Sequence, residues 1–256
     1  MTRPGQHAVL LFHGLKSNRF ELRSVSVALE KAGHPVTIPD IPGYADLPIG
    51  APVGKWAEWL AHALEHFDRL AGEFEKVSVG GLSSGASLAI AVALARKGRV
   101  HKLVLLSVTL FYDGWAIPWL IRLRYIGYYT PLRWFWYVHE TDPYGVKNPQ
   151  LRRFIRHAMV QRQTSHAGAA ALPLTGIYQV ELMARHAKRH AQALDLPTLA
   201  IHAREDEVTS LKSPEYVLGK MQNPGSRLVV VENSYHMITL DNDRRQVASE
   251  VCAFLA

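Results

Sequence analysis

The chain has 256 residues, of which 48% are apolar and 20% charged, so it can bury one sizeable core and fits a single domain with room for an insertion. No segment reaches about 18 apolar residues without charge, which argues against a membrane-spanning helix. The only cysteine, Cys252, excludes an internal disulfide, and we expect a cytoplasmic protein.

Short, β-branched apolar runs alternate along the chain with longer helical patterns. The predicted strands are Ala8–Phe12, Val36–Ile38, Lys76–Val79, Lys102–Ser107, Thr198–His202 and Arg227–Glu232. The predicted helices are Arg19–Lys31, Val53–Leu70, Ser84–Arg96, Pro214–Met221 and Arg244–Leu255. This alternation is typical of the α/β class, with a mostly parallel sheet flanked by helices. Active-site residues are then expected at the carboxyl ends of the strands.

The alternation is interrupted once, between residues 110 and 190. This segment has no clear strand pattern, and prolines divide its helical patterns into short pieces. From Asp113 to His190 it has 11 Lys/Arg against 4 Asp/Glu, so it carries the whole basic excess of +7. We interpret residues 110–190 as a helical cap (lid) inserted into a core formed by residues 1–109 and 191–256.

A Gly-x-Ser-x-Gly motif, Gly81–Gly85, lies between a predicted strand and a predicted helix. A turn this tight needs residues without a Cβ on both sides of the serine, and it projects the hydroxyl above the sheet at the helix N-terminus. The motif in this position predicts that Ser83 is a catalytic nucleophile.

A serine nucleophile needs a base, and the base needs a carboxylate to orient it. His236 follows the last predicted strand and comes late in the chain, as the base of such an enzyme should. The acid should follow the strand Thr198–His202, where three adjacent acidic residues leave a choice. We select Asp206 and expect Glu205 and Glu207 to be solvated charges.

The oxyanion of a tetrahedral intermediate is usually bound by two backbone N–H groups. One is expected from Ser84, directly after the nucleophile. The other is expected from Leu15, in the loop after the first strand. His13 and Gly14 precede Leu15 and are candidates for the substrate pocket.

These motifs resemble the α/β-hydrolase superfamily, and within it small bacterial carboxylesterases and monoacylglycerol lipases. The segments that carry the resemblance are Leu10–Gly14, Ala28–Val36, Pro39–Gly43, Gly81–Gly85, Asp206–Val208 and Ser234–Asp241. The resemblance implies ester hydrolysis through an acyl-enzyme without a cofactor, and it places a lid at the predicted insertion. The chain departs from the family at one loop, where Tyr44-Ala45 follows Pro42-Gly43 instead of the usual His-Gly.

The insertion is rich in aromatic residues, with 11 of the chain's 24 between Phe111 and Tyr137. One interpretation is a lid whose aromatics pack on the body. The other is an acyl pocket with a basic rim, with Trp115 and Trp119 as pocket candidates. Such a rim would favour an anionic membrane surface or an acidic acyl carrier.

The leading hypothesis is a carboxylic ester hydrolase acting on a small acyl ester. The closest alternative is an acyl thioesterase, which would use the same three residues. A more distant alternative is a peptidase or a carbon–carbon-bond hydrolase, which the superfamily also includes. A non-catalytic binding module is disfavoured by the complete set of catalytic residues. No nucleic-acid motif and no metal-ligand spacing is evident.

Overall fold

The structure is a computed structural model that describes residues 3–45, 51–117, 121, 123–162, 164–165, 168–169, 171–221 and 223–256. Its centre is a six-stranded sheet in which every pair of neighbouring strands is parallel. The strands are β1 (Arg3–Phe12), β2 (Val36–Thr37), β3 (Phe74–Leu82), β4 (Leu103–Leu106), β9 (Thr198–Ala203) and β10 (Arg227–Val231). Their order across the sheet is β10-β9-β4-β3-β1-β2. This confirms the predicted fold class and all six predicted strands of the core.

Helices cover both faces of the sheet. They are α1 (Arg23–Lys31), α2 (Trp56–Glu73), α3 (Ser84–Ala95), α4 (Arg124–Tyr128), α5 (Pro149–Arg162), α6 (Leu174–His190), α7 (Lys212–Met221) and α8 (Arg244–Leu255). Side chains of α1 and α8 fill the hydrophobic core on one face, and those of α2, α3, α6 and α7 fill the core on the other. Among the described helices, none is long and apolar enough to cross a membrane.

The helix that follows the nucleophile motif is apolar on all sides. Its residues from Ser84 to Ala93 are all buried, because α3 lies between the sheet and the helices α2 and α6. Alanine makes up much of α3, which favours the helix and lets its neighbours approach closely. The first turn of α3, next to Ser83, therefore has a fixed position above the sheet.

Within the predicted insertion, the structure has short strands that the sequence analysis did not find. Two three-residue strands, β5 (Tyr137–His139) and β8 (Ala171–Pro173), pair antiparallel. Two-residue strands β6 (Thr164–Ser165) and β7 (Gly168–Ala169) form a second antiparallel pair. The longest helix of the segment, α6, packs in the same core as α3. The predicted boundary between cap and core at residue 190 stays a prediction.

A buried carboxylate joins the two helical parts of this segment. Glu181 on α6 is 6% exposed and accepts hydrogen bonds from Arg124 at 3.0 Å, from Arg185 at 2.9 Å and from the Tyr128 hydroxyl at 3.0 Å. Arg124, one of the basic residues of the predicted insertion, is largely buried in this ion pair. Glu181 thereby fixes α4 to the body of the protein.

Candidate active site

Ser83 occupies a strained turn between β3 and α3. Its φ is +58°, a conformation that residues other than glycine rarely adopt. A Cβ at Gly81 would lie 2.3 Å from the backbone of Gly85, and a Cβ at Gly85 would lie 2.2 Å from the carbonyl oxygen of Phe12. Both glycines of the motif are therefore required for the close approach of the chain that projects Ser83.

The structure brings Ser83, His236 and Asp206 together in a hydrogen-bonded line. The Nε2 atom of His236 lies 2.9 Å from Ser83 Oγ, and its Nδ1 atom lies 2.7 Å from Asp206 Oδ2. The other carboxylate oxygen of Asp206 accepts the backbone N–H groups of Val208 and Thr209 at 2.8 and 2.9 Å. The three side chains have the separations that a nucleophile, a base and an orienting acid need.

The two acidic neighbours of Asp206 have different surroundings. Glu205 is exposed and pairs with Lys147 at 2.9 Å. Glu207 is only 5% exposed and accepts the backbone N–H of His236 at 3.0 Å. The expectation that Glu207 is a solvated charge was therefore wrong, because the chain turns its side chain inward beneath the loop of His236.

Charge around His236 favours its protonated form. Burial opposes protonation, but the carboxylates of Asp206 and Glu207 outweigh it and raise the pKa of His236 above its usual 6.5. Burial also raises the pKa of Glu207 to about 7. For Asp206, burial is outweighed by the imidazole of His236, and its pKa lies below the usual range. The site therefore stabilises the imidazolium that forms during serine catalysis.

The loop that carries His236 is fixed by two residues that were not predicted to belong to the site. Ser107 at the end of β4 donates its hydroxyl to the His236 carbonyl at 2.7 Å. Asp241 is fully buried and accepts N–H groups from Tyr235 in this loop and from Lys147 and Asn148 in the cap segment. These bonds fix the backbone on both sides of the imidazole.

The predicted oxyanion loop lies beside the first turn of α3. The backbone N–H of Leu15 donates to the Ser84 hydroxyl at 2.9 Å, so the two residues predicted to supply the donors are in contact. Gly14 donates its N–H to Glu21, a buried acid that the sequence analysis did not consider. Burial raises the pKa of Glu21 to about 7. His13 is buried, and its Nδ1 lies 2.8 Å from the Gly14 carbonyl.

The structure describes one of the two tryptophans proposed for the pocket. Trp115 is 59% exposed, donates its indole N–H to the Glu205 carbonyl at 2.9 Å and contacts the ring of Tyr235. It therefore lies against the loops that carry Asp206 and His236. Trp119 is outside the described residues. In the described part of the chain, no group of three or more His, Cys, Asp or Glu side chains could hold a metal.

The parallel sheet, the strained serine turn and the Ser83–His236–Asp206 line define an α/β-hydrolase. The chain belongs to the Hydrolase_4 family, described as serine aminopeptidase, S33, whose model matches residues 3–243. It is 22% identical to a carboxylesterase of Bacillus subtilis (strain 168) over 98% of this chain and 93% of that protein. It is also 22% identical to a thermostable monoacylglycerol lipase of Bacillus sp. (strain H-257), over 98% of this chain and 91% of that one.

A solved structure shares the fold at lower sequence identity. A soluble variant of monoglyceride lipase from Saccharomyces cerevisiae, in complex with a substrate analogue, matches with a TM-score of 0.81 and 14% identity. The match covers 99% of this chain and 88% of that one. The likeness therefore includes the segment between β4 and β9 as well as the sheet.

Proposed function

We propose that the protein hydrolyses carboxylic esters through an acyl-enzyme intermediate on Ser83. The observation that carries this proposal is the hydrogen-bonded line from Ser83 Oγ through His236 to Asp206, at 2.9 and 2.7 Å. The similarity to a carboxylesterase and to a monoacylglycerol lipase supports esters as the substrate class.

In this mechanism, Ser83 Oγ attacks the ester carbonyl carbon while His236 Nε2 takes the hydroxyl proton. The imidazolium then donates that proton to the leaving alcohol as the carbon–oxygen bond breaks. A water molecule next attacks the acyl carbon while His236 takes its proton, and His236 returns that proton to Ser83 Oγ as the acyl–oxygen bond breaks and the carboxylic acid leaves. Asp206 keeps the imidazole oriented and stabilises its positive charge throughout.

The negative charge on the substrate oxygen needs donors in both tetrahedral intermediates. We assign this role to the backbone N–H groups of Ser84 and Leu15. Ser84 supports the assignment because it begins α3, where unpaired N–H groups and the helix dipole favour an anion.

For the partner of the cap, we propose an anionic membrane surface. The cap has a group of exposed apolar side chains, which we call the aromatic cap surface: Leu123, Tyr125, Ile126, Tyr129, Leu132, Trp134, Phe135, Trp136 and Val138. Phe135 is 79% and Trp134 is 62% exposed, and the guanidinium of Arg133 lies 4.9 Å from the Trp134 ring. Apolar and aromatic side chains next to arginine suit the boundary between anionic headgroups and acyl chains.

A turnover panel tests the proposed reaction. We expect p-nitrophenyl esters and monoacylglycerols to be hydrolysed faster than acyl thioesters or amino-acid amides. Ser83→Ala should nearly abolish turnover and covalent labelling by a fluorophosphonate. The matched control is Ser26→Ala. Ser26 lies on α1, and in the described structure its hydroxyl bonds only to the Arg23 carbonyl. Full activity of Ser83→Ala would refute the mechanism, and preference for thioesters would favour a thioesterase.

A further inference from the structure

The residue after the nucleophile contributes a side chain as well as a backbone N–H. Ser84 is 4% exposed, and its Oγ lies 2.9 Å from the Leu15 nitrogen and 2.9 Å from the Tyr44 hydroxyl. Tyr44 is 1% exposed, and its hydroxyl lies 2.7 Å from the carbonyl oxygen of His13. Four polar groups from three separate segments therefore meet beside the predicted oxyanion hole.

The donors and acceptors in this cluster can be arranged in only one direction. The His13 carbonyl accepts only, so Tyr44 must donate its single proton there. The Tyr44 oxygen then accepts the hydroxyl proton of Ser84, and Ser84 Oγ accepts the N–H of Leu15. Burial raises the pKa of Tyr44, so its hydroxyl stays protonated and can serve as this donor. We call this series the Tyr44–Ser84 relay.

We propose that the hydroxyls of Tyr44 and Ser84 are positioning groups that hold the Leu15 amide ready to bind the oxyanion. The inference rests on the proposed function, in which the Leu15 N–H is an oxyanion donor. It adds two side chains to that function, and neither hydroxyl contacts the reacting atoms.

The backbone of the loop supports this role. Tyr44 binds the loop twice, because its hydroxyl donates to the His13 carbonyl at 2.7 Å and its backbone carbonyl accepts the Lys16 N–H at 2.8 Å. Its ring is also fixed, by an edge contact with Trp59 at 5.0 Å between centroids. Tyr44 thus anchors the loop on both sides of Leu15, through its side chain at His13 and through its backbone at Lys16.

The relay gives the Leu15 N–H a neutral acceptor until substrate arrives. A charged oxyanion accepts a hydrogen bond about twice as strongly as a neutral hydroxyl does, so it can take over or share this N–H. Because the amide is already oriented, little reorganisation is needed as the charge develops. Tyr44 stands at a position where the resembled family often has histidine.

Hydroxyl deletions test the relay. In Tyr44→Phe and Ser84→Ala, we expect kcat on a short p-nitrophenyl ester to fall about 10-fold, a part of the ~10²–10³ that loss of a whole oxyanion donor costs. KM should change by less than about twofold, because the ground-state ester makes weaker use of the same N–H. The inhibition constant of a trifluoromethyl ketone, which forms a tetrahedral oxyanion on serine, should weaken in proportion to kcat. The double variant should be little worse than the poorer single variant.

Ser78→Ala is the matched control. Like Ser84, Ser78 is a buried serine whose hydroxyl accepts a backbone N–H, in this case from Lys102 at 3.1 Å. Its hydroxyl also lies 2.7 Å from Nε2 of His7. It lies on β3, well before the turn at Ser83. We expect Ser78→Ala to lose stability while kcat and the ketone's inhibition constant stay near wild type.

Hydrogen exchange supplies a measurement that does not depend on turnover. The peptide that contains residues 13–16 should exchange faster in Tyr44→Phe and Ser84→Ala than in wild type or Ser78→Ala. Unchanged exchange would overturn the relay, whatever Ser83→Ala shows about the proposed function.

The relay would also be overturned if kcat in Tyr44→Phe and Ser84→Ala stayed unchanged, rose, or fell only as much as in Ser78→Ala. The proposed function would still stand in that case if Ser83→Ala were inactive.

Discussion

His236 must be neutral to accept the proton of Ser83, so the pKa of this one residue determines how activity depends on pH. Protonation removes the base, and Asp206 and Glu207 hold its pKa above 6.5. We therefore expect kcat/KM to rise with pH and to reach half its maximum above pH 6.5. A profile that is already flat below pH 6 would contradict this assignment.

Glu207 offers a direct test of that electrostatic effect. Glu207→Gln keeps an acceptor for the His236 N–H but removes a negative charge that is present above a pH of about 7. The pKa of His236 should fall, and the acid side of the kcat/KM profile should move to lower pH. Glu205→Gln is the control, since Glu205 is exposed and pairs with Lys147. Equal shifts in both variants would show that the effect is not local.

The sequence indicated candidate site residues where they follow strands, and it missed residues that reach the site from elsewhere in the chain. Ser83, Asp206 and His236 could be proposed because each follows a buried strand and fits a known chain order. Glu21 lies in a short 3-10 helix before α1 and Tyr44 in a turn after β2, and their side chains turn back towards the loop at Gly14. No local pattern marks such a return, because it depends on how the two loops pack.

The cap was predicted from its basic charge and from the absence of a clear strand pattern in residues 110–190. Its proposed binding to membranes can be tested separately from the reaction. If the aromatic cap surface binds anionic membranes, the protein should pellet with anionic vesicles but not with zwitterionic ones. Binding should weaken as salt rises, since 0.1 M salt screens exposed charges beyond ~10 Å. The double variant Trp134→Ala/Phe135→Ala should bind at least ~10-fold more weakly, because burial of each ring contributes on the order of 1 kcal/mol or more.

Val27→Ala is the control for that variant. Val27 is 38% exposed on α1, outside the cap, and its loss should leave vesicle binding unchanged. Binding to zwitterionic and anionic vesicles alike would remove the electrostatic part of the proposal. Binding to an acidic acyl carrier protein but to no vesicle would identify a protein partner instead.

The short strands of the cap show where element prediction reaches its limit. Strands β5 and β8 have three residues each, and more than 30 residues separate them. A pattern with period two needs about four residues to be recognised. Their pairing is therefore determined by tertiary contacts, whereas each core strand had its own local pattern.

The stability of the whole molecule should depend on a histidine at the opposite end of the sheet. The ring of His7 accepts from the Ser78 hydroxyl and donates to the Leu255 carbonyl, and the rings of His34 and His101 lie 4.9 and 5.1 Å away. Burial lowers the pKa of His7 to about 4, with smaller contributions from the neighbouring histidines. The folded protein thus resists protonation of a ring that the unfolded chain protonates near pH 6.5.

The free energy of unfolding should therefore fall as pH decreases from about 6.5 to 4, because the unfolded state binds the additional proton. Urea denaturation across this range measures the slope. His7→Asn should be less stable at pH 7 but show a flatter decline on acidification. His157→Asn, a change at an exposed position on α5, should keep the wild-type slope. A wild-type slope in His7→Asn would exclude His7 as the cause.

One carboxylate joins the loop of His236 to the segment just before α5. Asp241 accepts N–H groups both from the loop of His236 and from Lys147 and Asn148, just before α5. Separating these segments would leave buried groups unpaired, at about 1–3 kcal/mol for each. The segment before α5 should therefore stay attached to the loop of His236, and the base would keep its alignment with Ser83 during substrate entry and product release.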